Sequence, residues 1–198
     1  SLEGILKSIL STDSYNRFIK EQNLDFSYEH KSGARLRGNA FVQQGKFVVV
    51  LRLVPHVKTL AELNLPESLA EFARKRQGFF LVVGPVGQGK SATMAAMVSL
   101  INEEKQAHIL TIEDPVEYVY EQKKSIIDQR EVGIDTTDFA DALKSAFRQD
   151  VNVILIGEMR NTETIGTAVT AAETGHLVLS TLHTNTASQT IDRIIDSF

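Results

Sequence analysis

The stretch GPVGQGKS, Gly84 to Ser91, sets three glycines, a lysine and a hydroxyl residue where they can hold phosphate. It fits G-x-x-x-x-G-K-[ST] and lies between an apolar run, FFLVV, and an amphipathic helical pattern, the context in which a phosphate-binding loop works. Gly84, Gly87 and Gly89 let the backbone turn its N–H groups onto phosphate oxygens, with Pro85, Val86 and Gln88 completing the loop. The helix that follows adds the positive end of its dipole. Lys90 brings a point charge to the β and γ phosphates, and Ser91 brings a hydroxyl ligand for Mg²⁺. The ligand these groups suit is ATP with Mg²⁺.

Hydrolysis needs more: a group to orient or deprotonate the attacking water, and further negative charge to hold the metal. In parallel sheets ligands sit outside the carboxyl ends of the strands, which is where VNVILIGE delivers Glu158 and HILTIEDPVE delivers Glu113, Asp114 and Glu117. A carboxylate at the end of a buried strand is expensive to place, so Glu158 is the best general base. The bland alternative is an acid serving the helix start before TETIGTAV. Gly157 stands where many nucleotide-hydrolysing proteins put a Mg²⁺-ordering aspartate, and the TIEDPVE cluster is the candidate to take over that duty. In HLVLSTLHT, His183 is placed to reach a γ-phosphate and to register its loss, while His176 sits at the strand's entry. Both histidines also read as ordinary helix-end or loop residues.

The elements that must position these groups follow from pattern. Residues 79–84, HILTIED, VNVILIG and HLVLSTLHT read as strands, alternating with helices over residues 90–104, TTDFADALKSAFRQ and TETIGTAVTAAETG. That alternation predicts an α/β fold with a mainly parallel sheet covered on both faces. Before it, LPESLAEFARKRQG reads as a helix, with Pro66 in its first turn and Gly78 at its end. Earlier still, STDSYNRFIKEQN reads as a helix, and LDFSYEH, ARLRGNAFVQQ and KFVVVLRLV as strands. The expected organisation is a small partial α+β unit over 1–54, a linker over 55–60 and the P-loop core over 61–198.

Composition narrows the function. With 198 residues and 42% apolar content, the chain can bury a real core. Its 25 acidic residues against 21 basic ones argue against holding nucleic acid by its phosphates. The absence of cysteine excludes disulfides and cysteine-ligated zinc. No apolar run approaches the ~20 residues of a membrane span, and nothing at the start reads as a signal, so a soluble, cytoplasmic protein is expected. Starting at Ser1 and stopping at TIDRIIDSF within a helical pattern, both ends read as cuts.

Together GPVGQGKS, HILTIEDPVEYV, QREV, VILIGEMR and TAAETGHLVLSTLHT resemble the secretion-type ATPases of bacterial type IV pilus and type II secretion machines, most closely the pilus retraction ATPases. The resemblance runs from about residue 79 to the end, and more loosely through SGARLRGNAF and VVVLRLVP. It implies a RecA-like core behind a PAS-like N-terminal domain, and a homo-hexameric ring working with an inner-membrane platform protein, so that contact with the membrane is through partners only. It implies a Walker A loop at Gly84–Ser91, an acidic box at Glu113–Glu117, a Walker B lacking its aspartate at Ile154–Glu158, and a histidine box at His176–His183. Glu158 is then the catalytic glutamate, with Glu117 and His183 beside it, and Ser91, Glu113 and Glu117 toward the metal. His176, Arg160 and Ala92 join the nucleotide site. Arginines of one subunit reach the next subunit's nucleotide, and these fall on Arg35, Arg37 and Arg52. From the residues alone, Arg35 and Arg37 share one face of a strand and equally suit a solvated sheet face.

This chain departs from the family at Asp150-Val151-Asn152, where Asp-Pro-Asp is usual, and at Ala92, where threonine is common. The family's C-terminal helical part and the first part of its N-terminal domain are also expected to be missing. The function expected is a motor that hydrolyses ATP to retract a pilus. The alternatives are an extension or type II secretion ATPase, often marked by a cysteine-ligated zinc insertion, and a module that binds nucleotide without hydrolysing it. A nucleic-acid translocase is disfavoured by the acidic balance and the lack of interleaved aromatic and basic residues.

Overall fold

The computed structural model describes residues 2–159, 161–184 and 186–196. The chain divides after Pro55 into two compact units.

The first unit opens with α1 (Leu2–Ile9) and α2 (Thr12–Glu21). Ser11 caps α2 by accepting a hydrogen bond from the Ser14 N–H, and the helix ends at Gln22 in the left-handed region. Three strands follow, β1 (Asn23–Glu29), β2 (Arg35–Gln43) and β3 (Lys46–Leu53), paired antiparallel in that order. The alternation of the sequence sets the faces. Leu24 and Ala40 are buried together with Leu6 and Phe18 of the helices, whereas Arg35, Arg37 and Asn39 lie on the opposite face. Phe26 of β1 stands across from Gly38 of β2, and a Cβ at Gly38 would fall 2.2 Å from its ring, so a side chain there would force the ring to shift. The sequence pattern placed the first helix at Ser11; α1 lies before it, and its eight residues are too few for periodicity to declare itself.

The second unit holds α3 (Ser68–Ala73), β4 (Gly78–Val83), α4 (Lys90–Glu104), β5 (His108–Glu113), β6 (Ile126–Glu131), α5 (Phe139–Ala146), β7 (Val153–Ile156), α6 (Thr162–Glu173), β8 (Leu177–Leu182) and α7 (Ala187–Ile195). Its five strands are all parallel, in the order β4-β8-β7-β5-β6. Even-numbered side chains such as Leu110, Ile112, Ile154, Ile156 and Val178 pack with α5 and α6. Odd-numbered ones such as Ile109, Val153, Leu155, Leu177 and Leu179 pack with Met94, Met97, Val98 and Ile101 of α4. Burying both faces explains why these strands read as unbroken apolar runs. Among the described residues no helix is long and apolar enough to cross a membrane.

Two local expectations are corrected. The helix around LAEFA is shorter than the pattern suggested: Pro66 precedes its first turn, its C-cap is Arg74, and Gly78 opens β4 with φ 141° instead of closing the helix. The edge strand β6 had no counterpart in the pattern, because IIDQRE is half charged and Ile126 is exposed.

Candidate nucleotide site

The loop after β4 has a shape that its glycines alone permit. Gly87 and Gly89 adopt φ 82° and 83°, a region that a Cβ disfavours, and Gly89 is the N-cap of α4. That cap makes no side-chain hydrogen bond, and the first turn of α4 carries no acid, so its free N–H groups and positive end face the loop. Lys90 is only 8% exposed, and its Nζ donates to the carbonyls of Gly84 (2.8 Å) and Pro85 (2.9 Å). The ammonium is thereby held inside the loop, where phosphate oxygens can replace either carbonyl.

The strand order brings the other groups to the same end of the sheet. A cleft of about 410 Å³ is lined by Val86, Gly87 and the run Gly89 to Ala92 of the loop, by Glu113, Asp114 and Glu117 after β5, by Gly157 and Glu158 after β7, and by Thr181 and His183 of β8 and its end. Within it His183 bridges two charges. Its Nδ1 lies 3.5 Å from Lys90 Nζ, and its Nε2 lies 3.6 Å from Glu158 Oε2. Glu158 is the more enclosed of that pair, its side chain 18% exposed against 49% for the histidine.

Glu113 lies deeper, and burial pushes its carboxyl up from the usual range. Hydrogen bonds from Thr111 Oγ1 (2.7 Å) and from the Glu117 N–H (3.3 Å) partly offset that by favouring the carboxylate. A cation beside it would do the same. Among the described residues no cluster of three His, Cys, Asp or Glu side chains could hold a metal on its own. Ser91, Glu113 and Glu117 fit Mg²⁺ only in the way that ion is usually bound, with one or two carboxylates plus nucleotide phosphates.

Gly157 lies beside Glu113. A Cβ there would lie 3.4 Å from both Glu113 Cα and the Ile112 carbonyl oxygen, and 3.7 Å from Glu113 Cβ. A side chain at 157 would therefore grow toward Glu113, whose carboxylate already supplies negative charge in this corner of the cleft.

The segment from Asp114 to Lys124 has no regular structure, yet it carries Glu117 into the cleft. Side chains take the place of a ladder. Glu131 accepts from the Val116 N–H (3.0 Å), and Gln129 bonds both the Tyr118 carbonyl (2.8 Å) and the Tyr120 N–H (3.1 Å). Asn102 of α4, 2% exposed, donates to the Glu121 carbonyl and accepts from the Lys123 and Ser125 N–H groups. Sequence reasoning gave no role to Asn102, nor to Gln129 and Glu131 within QREV, since a lone amide or acid in a helix or strand carries no local signal.

Not every expected site residue meets there. Gln88 is exposed and outside the lining, while Gly84 and Pro85 take part through the carbonyls that Lys90 holds. His176 lies at the opposite end of β8: its carbonyl accepts from Gly78 at the start of β4, its Nδ1 meets the Ala171 carbonyl (2.9 Å) at the end of α6, and its ring packs on Phe147. His176 closes a helix and does not line the cleft. Arg148, the arginine just beyond α5, reaches the Lys144 carbonyl (3.5 Å), and Arg160 lies outside the described residues. In the first unit Arg37 and Arg52 are directly opposed across β2 and β3, with Arg35 paired to Glu29 (3.6 Å).

A parallel sheet with a glycine loop and lysine after its first strand, and acids at the ends of neighbouring strands, defines a P-loop nucleotide-binding protein. Residues 29–196 match the family model described as Type II/IV secretion system protein, and the chain belongs to that family. It is 52% identical over 189 residues to a "Twitching motility protein" of Neisseria gonorrhoeae, covering 94% of this chain and 50% of that protein. It is 46% identical over 198 residues to the "Type IV pilus retractation ATPase PilT" of Pseudomonas aeruginosa, covering 100% of this chain and 58% of that one. A crystal structure of the pilus retraction motor PilT with bound ADP superposes with a TM-score of 0.92 at 47% identity, covering 99% of this chain and 57% of the other. The chain thus spans between half and three-fifths of the length of these relatives.

Proposed function

We propose that the protein containing this chain hydrolyses Mg-ATP as a homo-hexameric ring on the cytoplasmic side of the inner membrane, and that hydrolysis drives retraction of a type IV pilus through an inner-membrane platform protein. The observation that carries the ATPase reading is the row Lys90, His183, Glu158 inside one cleft beside a glycine loop. The names of the relatives support the pilus assignment.

In this reading the loop N–H groups and the start of α4 bind the phosphates, and Lys90 exchanges the Gly84 and Pro85 carbonyls for phosphate oxygens. Ser91, Glu113 and Glu117 would hold Mg²⁺ together with the nucleotide, and the ion would supply positive charge to offset that of the phosphates. Glu158 orients and deprotonates the attacking water, and His183, between Glu158 and Lys90, marks whether a γ-phosphate is present. Arg35, Arg37 and Arg52 serve the site of a neighbouring subunit.

Replacing Glu158 by Gln is expected to leave Mg-ATP affinity nearly unchanged and to lower turnover by ~10²–10⁴. Steady-state hydrolysis measured beside equilibrium nucleotide binding checks this. Turnover at the wild-type rate would remove Glu158 from the mechanism.

A further inference from the structure

Strand β7 leaves its ladder with β8 at the pair Ile156 and Ser180, two residues short of Glu158. The Gly157 N–H still donates to the Ile112 carbonyl on the β5 side (2.8 Å). On the β8 side one residue takes over. Thr181 Oγ1 donates to the Gly157 carbonyl at 2.6 Å, and the Thr181 carbonyl accepts from the Met159 N–H at 3.3 Å. Thr181 therefore grips the chain immediately before and immediately after Glu158. It is 4% exposed, it lines the cleft, and two residues further on is His183, which faces the Glu158 carboxylate. The only part of this grip that depends on side-chain identity is the hydroxyl.

We propose that Thr181 is the positioning residue for Glu158: its hydroxyl fixes the peptide plane between 157 and 158, and with it the direction in which the carboxylate enters the cleft. The proposal rests on the reading of Glu158 as the base. Gly157 has no side chain of its own to restrict its backbone, so the hydroxyl adds a direct restraint on its carbonyl to the backbone bonds made by the Gly157 and Met159 N–H groups. A shift of about 1 Å in a reacting group costs on the order of 10²-fold in rate, so a small rotation suffices to matter. Ser180 makes the equivalent bond one step earlier, Oγ to the Ile156 carbonyl (2.9 Å), but there the ladder already holds the backbone.

The test compares Thr181→Val, which keeps the shape and loses the hydroxyl, with Thr181→Ser, which keeps the hydroxyl, in the assembled protein. Turnover, equilibrium ATP binding and thermal unfolding are measured for each, and for Thr181→Val combined with Glu158→Gln. Thr181→Val is expected to lose ~10–100-fold in kcat, with ATP affinity held within about twofold. Thr181→Ser recovers most of the loss. Removing the hydroxyl in the Glu158→Gln background costs little more, because residues acting as a unit are not additive. Thr181→Ala, which also lacks the hydroxyl, must show the same split and serves where the valine variant does not fold. Wild-type kcat in Thr181→Val, equal impairment of the serine variant, multiplied losses in the double variant, or a loss confined to ATP affinity would each overturn the proposal. A wild-type protein that binds ATP without hydrolysing it removes the base and this role together; an active wild type with an unaffected Thr181→Val removes this role alone.

Discussion

Gly157 carries the clearest lesson at the scale of single residues. The sequence announced a missing aspartate, and in the structure the place a side chain at 157 would take is bordered, at ordinary contact distance, by Glu113 and the end of β5. An alanine there meets contacts of 3.4 Å, which the neighbours can absorb. An aspartate brings a second carboxylate against one whose pKa burial already raises. Gly157→Ala is expected to stay within about 1 kcal/mol of wild type, and Gly157→Asp to lose about 3 kcal/mol or more, the scale of an uncompensated charge in a partly buried site. Denaturant unfolding of the two variants without nucleotide or divalent cation checks this; equal stability of the two would show that Glu113 does not crowd position 157.

Among the elements, the parallel strands were legible because burial on both faces leaves unbroken apolar runs, and the helices between them from their periodic pattern, while the caps at Asp138 and Asn161 came from the structure. The acidic segment was not legible as a structure. It holds its course through Asn102, Gln129 and Glu131, which lie 9 to 23 residues from the peptides they bind. Asn102→Ala would strip partners from the Glu121 carbonyl and from the Lys123 and Ser125 N–H groups. We expect it to cost about 1–3 kcal/mol, the penalty for stranding such groups. Amide hydrogen exchange at Lys123 and Ser125 should accelerate, and Mg-ATP should bind more weakly as Glu117 loses its place. Unchanged exchange at both amides would mean that the segment is held by other contacts.

At the scale of the whole molecule, the first unit presents two arginines facing each other across β2 and β3, an arrangement that like charges disfavour. In the proposed ring these groups act on a neighbour's nucleotide, and an arginine supplied in trans is worth ~10³–10⁵ in rate. Arg37→Ala and Glu158→Gln proteins should each be nearly inactive alone. Mixed under subunit exchange, they should recover turnover at interfaces that draw one intact group from each chain. Mass measurement of the mixed rings, taken beside the rate, checks that exchange took place; mixed rings without recovered activity would count against action in trans.

Sequence by itself determined the phosphate loop, the parallel sheet and the strand ends at which Glu113, Glu158 and His183 would appear. Those features follow from local rules: glycine conformational freedom, two-sided burial and the direction of a strand. Tertiary structure alone decided which of the candidates meet. The order β4-β8-β7-β5-β6 puts β8 between the loop strand and the glutamate strand, so Thr181 and His183 reach Glu158 across a neighbour that lies more than twenty residues away in the chain. The same strand direction that delivers His183 to the cleft carries His176 to the far end, because the two lie at opposite ends of one extended strand.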